Sequence, residues 1–409
     1  MDIILRKVRL EDNQPLVDVG LCAGKIAAIA PELGMDAAEI IEADGRVLIP
    51  GLVESHLHLD KALIADRKPN RSGTLQEAIT VTAALKPSFT KEDVRERAEK
   101  ALQMIIKNGA THVRTHSEFD PAGGFTGFKV ILELKEKYKH VIDMQVVAFP
   151  QEGIMKAPGT EAMMHEAVKM GADVVGGIPY NDFSANDHID LVFEIAKKYQ
   201  MPLDFHQDFK DDIAGTSIEY LCRKTIAEGY QGRVSVGHMT SLGAFPPDQL
   251  HPLLELMAEA QINVMCLPAT DLHLGGRNDT YNVRRALTPV RALNKAGVNV
   301  CLGSNNIRNA FTPYGNGDLF QIAMLAIPTA HLGGADDLPS VLPMITTRVA
   351  KALNISNYGL KEGCNADVVL LDTKKVSDAI IDLPDKLYVI KGGKVIIKTQ
   401  RQTERRYSI

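Results

Sequence analysis

Four short motifs carry the residues of this chain that could do chemistry: His56-Leu57-His58, His206 in Asp204-Phe-His-Gln-Asp208, His238 in Val236-Gly-His-Met-Thr240, and Ser304-Asn305-Asn306. Each falls where a short apolar run ends. On a strand, residues two apart point to the same side, so His56 and His58 can offer both imidazoles to one ion. A single histidine closing an apolar strand is ordinarily a core residue bonded to a carbonyl. Three separate strand ends delivering imidazoles to one rim predict instead a mononuclear divalent site, zinc or iron, on nitrogen ligands. Asn305 breaks the pattern, because it puts an amide where such a site ordinarily uses a carboxylate. His112, His140, His165, His188, His251 and His331 lie inside strands, helices or loops and read as structural.

Bringing distant histidines to one rim takes a repeated unit, and the middle of the chain has one. Apolar runs of strand length occur at 51–58, 112–115, 144–149, 173–178, 202–206, 233–238, 262–267 and 298–303. Amphipathic helical stretches follow many of them, as at Lys91–Lys107, Gly127–Lys139, Glu161–Met170, Leu191–Lys198 and Ile218–Glu228. Thr74 and Glu77 have the spacing of a capping box, and Gly109, Gly171, Gly229 and Gly297 mark helix ends. Eight strand–helix units predict an α/β fold of the (β/α)8 barrel type over 51–358, whose chemistry sits at the C-terminal strand ends. An open doubly wound sheet has no reason to stop at eight, and no GxGxxG follows the first strand. Residues 1–50 read as a meander of short strands, and 359–409 repeat the strand and hairpin signature, with Gly392-Gly393 as a turn. The two ends are therefore expected to form one small β-sandwich domain bracketing the barrel.

Composition narrows the partners. The chain has 409 residues, 45% hydrophobic, with a net charge of −5, and its 46 Lys and Arg are scattered, so no basic footprint for nucleic acid exists. Five cysteines without a CxxC pair read as reduced thiols. No run approaches a membrane span and the N-terminus lacks a signal-peptide pattern, so the expectation is a cytoplasmic protein with no membrane partner.

Longer stretches carry a family likeness: Pro50-Gly-Leu-Val-Glu-Ser-His-Leu-His-Leu-Asp60, Ser72-Gly-Thr74, Val113-Arg-Thr-His116, Ala148-Phe-Pro-Gln-Glu-Gly153, Asp271-Leu-His-Leu-Gly-Gly-Arg277 and Pro313-Tyr-Gly315. Together they resemble the amidohydrolase superfamily, in particular its cytosine deaminase-like branch, over nearly the whole chain. Ser304 to Gly317 also looks like the loop of triazine amidohydrolases that act on N-isopropylammelide. The resemblance implies a distorted barrel flanked by a sandwich from both termini, one divalent ion per chain, a small nitrogen heterocycle as substrate, and assembly into a homo-oligomer. Position by position, it implies His56, His58 and His206 as metal ligands and His238 as the residue that holds or polarises the attacking water. It also implies Gln151 as the amide reading the ring edge, a role suited to a group that both donates and accepts. Phe209, Asn306 and Phe311 fall beside the substrate.

Two departures stand out against that pattern. Asn305 replaces the strand-eight Asp that ligates the ion and takes a proton from its water, and Phe209 replaces the Glu that ferries a proton to the ring. An amide can ligate but cannot accept a proton near neutral pH, and general-base help is worth about 10²- to 10⁴-fold. Asp208 is a candidate substitute proton carrier, although a strand neighbour faces the other way. Phe209 suits stacking or cation–π contact with a ligand, or simple packing. Lys61, Glu118, Glu152, Asp182 and Asp271 lie on strand-end loops and could shape specificity, although solvation is the ordinary fate of such groups. The expected function is a metal-dependent amidohydrolase or deaminase with altered substrate and proton transfer. The alternatives are a catalytically silent binder of a heterocycle or metabolite, and a lyase-type reaction in the same pocket.

Overall fold

The structure is a computed structural model that describes residues 1–406. The last three positions of the predicted 359–409 segment lie outside the described residues. The chain divides into two compact units. One takes 1–52, 106–111 and the stretch from Asn357 onward, and the other 53–105 and 112–356.

In the terminal unit, β1 (Ile3–Val8), β2 (Val17–Cys22), β3 (Lys25–Ala30) and β4 (Glu39–Glu42) form a sheet in the order β3-β2-β1-β4, and β5 (Leu48–Pro50) leaves it. This departs from the expected meander, because β4 pairs parallel to β1, Ile3 opposite Glu39. A parallel pair cannot be closed by a tight turn, and here the β2–β3 hairpin and the segment after it make the return.

The second unit is built on eight parallel strands in sequential order: β6 (Leu52–Leu57), β7 (Ala110–Glu118), β8 (Asp143–Phe149), β9 (Val174–Gly177), β10 (Leu203–His206), β11 (Val234–Gly237), β12 (Asn263–Cys266) and β13 (Asn299–Leu302). Their side chains are buried almost throughout, as expected for parallel strands covered on both faces. The cylinder closes between its first and last strands: Asn305 N donates to His56 O at 2.8 Å, His58 N to Asn305 O at 2.9 Å and Ser55 Oγ to Leu302 O at 2.9 Å. Closure needs a glycine at 303, where a Cβ would lie 2.6 Å from Ser55 Oγ. Helices flank the strands, among them Lys91–Lys107, Thr126–Tyr138, Thr160–Met170, Ala185–Tyr199 and Ile218–Ala227. Thr74 accepts from Glu77 N at 3.3 Å, the expected cap of Leu75–Leu85.

Back in the terminal unit, β14 (Val368–Leu371), β15 (Lys386–Lys391) and β16 (Lys394–Lys398) form a second sheet in which β14 pairs antiparallel with β5. Both sheets contribute to one apolar core that includes Leu5, Val19, Leu21, Ile26, Leu48, Val368, Leu370 and Ile390. That shared core makes them a sandwich. Among the described residues, no helix is long and apolar enough to cross a membrane.

Candidate active site

The barrel strands bring His56, His58, His206 and His238 together at their C-terminal ends. His206 Nε2 lies 3.2 Å from His56 Nε2 and 3.0 Å from His58 Nε2. Nitrogens held about 2.0–2.1 Å from a tetrahedral ion stand about 3.3 Å apart, so His206 Nε2 is at ligand spacing from each of the other two. Burial is the leading cause that holds all three imidazoles well below their ordinary pKa, with neighbouring histidines adding to it. They are neutral and have free lone pairs, as a ligand must. Glycine at 237 leaves room for the first of them, since a Cβ there would sit 3.1 Å from His56 Cε1.

Ligand rings are usually aimed by a hydrogen bond from their second nitrogen. Here stacking does much of that work. His206 lies on Phe149 at 4.1 Å between centroids, and His56 on His116 at 3.9 Å. The Nδ1 atoms of His56 and His206 have no hydrogen-bond partner, and His58 Nδ1 faces Glu118 Oε1 at 3.9 Å. His116, on β7, was not singled out from sequence. His56, His206 and His238 form one cluster of potential ligand atoms, and His116 with His56 and His58 forms another. The signal was the Thr-His pair within Val113-Arg-Thr-His116, on a strand expected to end at Thr115 that instead continues to Glu118.

His238 is held from both sides. Its Nδ1 lies 2.6 Å from Asp271 Oδ1, and its Nε2 3.2 Å from Asn305 Nδ2. An ionised carboxylate only accepts, so the proton is on Nδ1, Nε2 is the basic nitrogen, and the Asn305 amide must turn its NH2 toward it. The Asn305 carbonyl oxygen is buried without a partner. Asn305 and His238 both adopt left-handed backbone conformations, with φ of 60° and 64°. That region is sparsely populated for residues with a Cβ, and Asn and His are among the types that tolerate it. Burial raises the Asp271 carboxyl above its usual range, and His238 pulls it back down.

Several rim residues are not solvated as expected. Lys61, Glu118 and Asp271 are buried. Lys61 Nζ bonds to Glu118 and, at 3.1 Å, to Gln151 Oε1. Lys86 Nζ lies 2.8 Å from Glu118 Oε2 and 2.7 Å from Glu152 Oε1. Burial alone would raise the Glu118 carboxyl, but the two ammonium groups outweigh it and hold the group well below the carboxylate range.

Phe209 stacks on His238, 4.5 Å between centroids and 14° between planes, and belongs to an apolar cluster with Phe311, Val81 and Leu274. Asp208 is not brought to the site. Its carboxylate accepts from Ser217 N and Ile218 N at 3.0 Å, at the start of the helix Ile218–Ala227. Asn306 Oδ1 accepts from Asn309 Nδ2 at 2.6 Å. His58, His206, His238, Gln151, Asn305 and Phe311 help line a narrow recess.

The chain is similar to known proteins over nearly its whole length. A profile of the amidohydrolase family matches residues 39–397. N-isopropylammelide isopropyl amidohydrolase of Pseudomonas sp. (strain ADP) is 30% identical over 408 residues, covering 98% of each chain. The crystal structure of 5-methylcytosine deaminase from Klebsiella pneumoniae with 5-fluorocytosine superposes with a TM-score of 0.93 at 34% identity, covering 98% of this chain and 99% of that one. N-isopropylammelide isopropylaminohydrolase from Burkholderia multivorans gives a TM-score of 0.86 at 27% identity, covering 97% and 98%.

Proposed function

The chain belongs to the amidohydrolase family, and on that premise we propose that it hydrolyses a C–N bond of a small nitrogen heterocycle, with a divalent ion held by His56, His58 and His206. The observation that carries the reading is that His206 Nε2 stands 3.2 Å from His56 Nε2 and 3.0 Å from His58 Nε2. A zinc or iron ion bound there supplies Lewis acidity and lowers the pKa of water toward neutrality. The relatives named for ammelide and cytosine chemistry support a ring substrate.

The chain's own residues supply a route for the proton that does not need a carboxylate at 305. With Nδ1 engaged by Asp271, Nε2 is the His238 nitrogen that would take the proton, and Asp271 would stabilise the imidazolium formed. Phe209 lies flat on the same ring, where an aromatic face favours the cation by about 0.5–2 kcal/mol. His238 can then return the proton to the leaving nitrogen, one carrier serving both steps.

Elemental analysis of protein purified without chelator, with a heterocycle panel read for ammonia or amine release, tests this reading. Bound metal with release supports it. A metal-free protein that stays inert when reloaded with zinc, iron and manganese sinks it. Asn305 favours a second reading, a silent heterocycle binder. There, Asn305→Asp with Phe209→Glu should restore release, and a double variant inert on cytosine-like, creatinine-like and triazine rings removes that reading's support.

A further inference from the structure

Gln151 was expected to read a ring edge with both faces of its amide, donor and acceptor. The structure leaves it only one. Lys61 Nζ lies 3.1 Å from the amide, and an ammonium group can only donate, so the atom facing it must be the carbonyl oxygen. The Gln151 main chain is also anchored, its carbonyl accepting from Asn181 Nδ2 at 2.8 Å, so the side chain has little freedom to turn. With its carbonyl oxygen held by Lys61, the NH2 is the part of the Gln151 amide left to meet a ligand.

Lys61 itself lines the recess. Two of its three protons go to Glu118 and Gln151, and its ammonium lies 4.3 Å from the centre of the Phe311 ring. Tyr180, in the same lining, keeps its phenol proton because burial raises its pKa. Histidines apart, Lys61 is the only side chain of the charged types among the described residues that line the recess. The nearby carboxylates are spoken for. Glu118 is paired with Lys61 and Lys86, Asp271 stands behind His238, and Asn305, Asn306 and Phe209 bring no charge.

We propose that Lys61 is a specificity-determining residue: by occupying the Gln151 carbonyl it makes, with its own ammonium, a donor-only edge that selects rings presenting adjacent acceptors, a carbonyl beside a deprotonated ring nitrogen, over rings presenting amino or N–H groups. It rests on the recess being the heterocycle site. The physical basis is the asymmetry of buried hydrogen bonding: a ring N–H set against donors loses its water and gains no partner.

Calorimetric titration of the purified protein with barbiturate, an oxo-ring anion, and with 2,4,6-triaminopyrimidine, an amino ring, tests the edge. Barbiturate should bind at least tenfold tighter. In Lys61→Met the Gln151 carbonyl is released and the preference should fall to threefold or less, while Gln151→Glu, which adds an acceptor, should reverse it. Should Lys61→Met not fold, the same ratio is read on Lys61→Met with Glu118→Gln, which removes both charges of the pair. A wild-type preference that is flat or reversed, or one that Lys61→Met and the double variant leave unchanged, overturns the role of Lys61 while the heterocycle reading stands. If neither ring binds the wild-type protein, the proposal and the functional reading fall together.

Discussion

At His238 the proton on Nδ1 is held by Asp271 at 2.6 Å, and that single contact decides which nitrogen is left to act as a base. Asp271→Asn should therefore lower turnover by about 10²- to 10⁴-fold and shift the acid limb of the pH–rate profile, with metal content unchanged. A loss of metal or of folding in step with activity would instead make Asp271 structural. Asp271 was visible in the sequence as a strand-end acid, but its partner was not, because 33 residues separate it from His238. The same holds for Lys61 and Gln151, 90 residues apart. Residue type announced the imidazoles, since few side chains do what an imidazole does. It gave no notice that Lys61 would be buried, since an ammonium goes underground only when specific partners wait there.

The strand-end loops show the same division one level up. Asp182, after β9, accepts from Ile154 N at 2.7 Å, Met155 N at 3.0 Å, Lys156 N at 2.9 Å and His188 Nδ1 at 2.8 Å. It thereby pins the loop that begins at Gln151. Burial raises its carboxyl, but the His188 and backbone hydrogen bonds prevail and depress it. A depressed carboxyl stabilises fully above its unfolded pKa of 3.8 and loses that contribution as pH falls through its folded value. Asp182→Ala should cost about 1.5–3 kcal/mol at neutral pH, and the gap to wild type in thermal unfolding should narrow steadily below about pH 4. Asp208 gives the contrasting case, since it serves the N-terminus of Ile218–Ala227. Asp208→Ala should destabilise by about 1–2 kcal/mol, whereas Asp208→Asn, which can still accept, should keep turnover within threefold. A large loss of turnover in a stable Asp208→Asn protein would return this residue to the chemistry.

Across the whole molecule, an ion bound by the three histidines acts on folding as a ligand of the native state alone. At a hundredfold excess over its dissociation constant it should add about 2.7 kcal/mol. Differential scanning of chelator-treated protein should show the melting temperature rise on adding zinc and should show no rise in His206→Ala; equal shifts in both would place the ion elsewhere. What the sequence determined by itself was the periodic part: eight apolar runs, the helices between them, and the histidines at strand ends, all set by local alternation and residue type. It placed Lys91–Lys107 at its observed bounds and the turn between β15 and β16 at Gly392-Gly393. The return of β4 beside β1, the seating of Asn305 where the cylinder closes, the stack of Phe209 on His238 and the Lys61–Gln151 contact were decided only by tertiary structure. Each joins segments distant in sequence, and no local pattern encodes a partner that the closed barrel alone brings within reach.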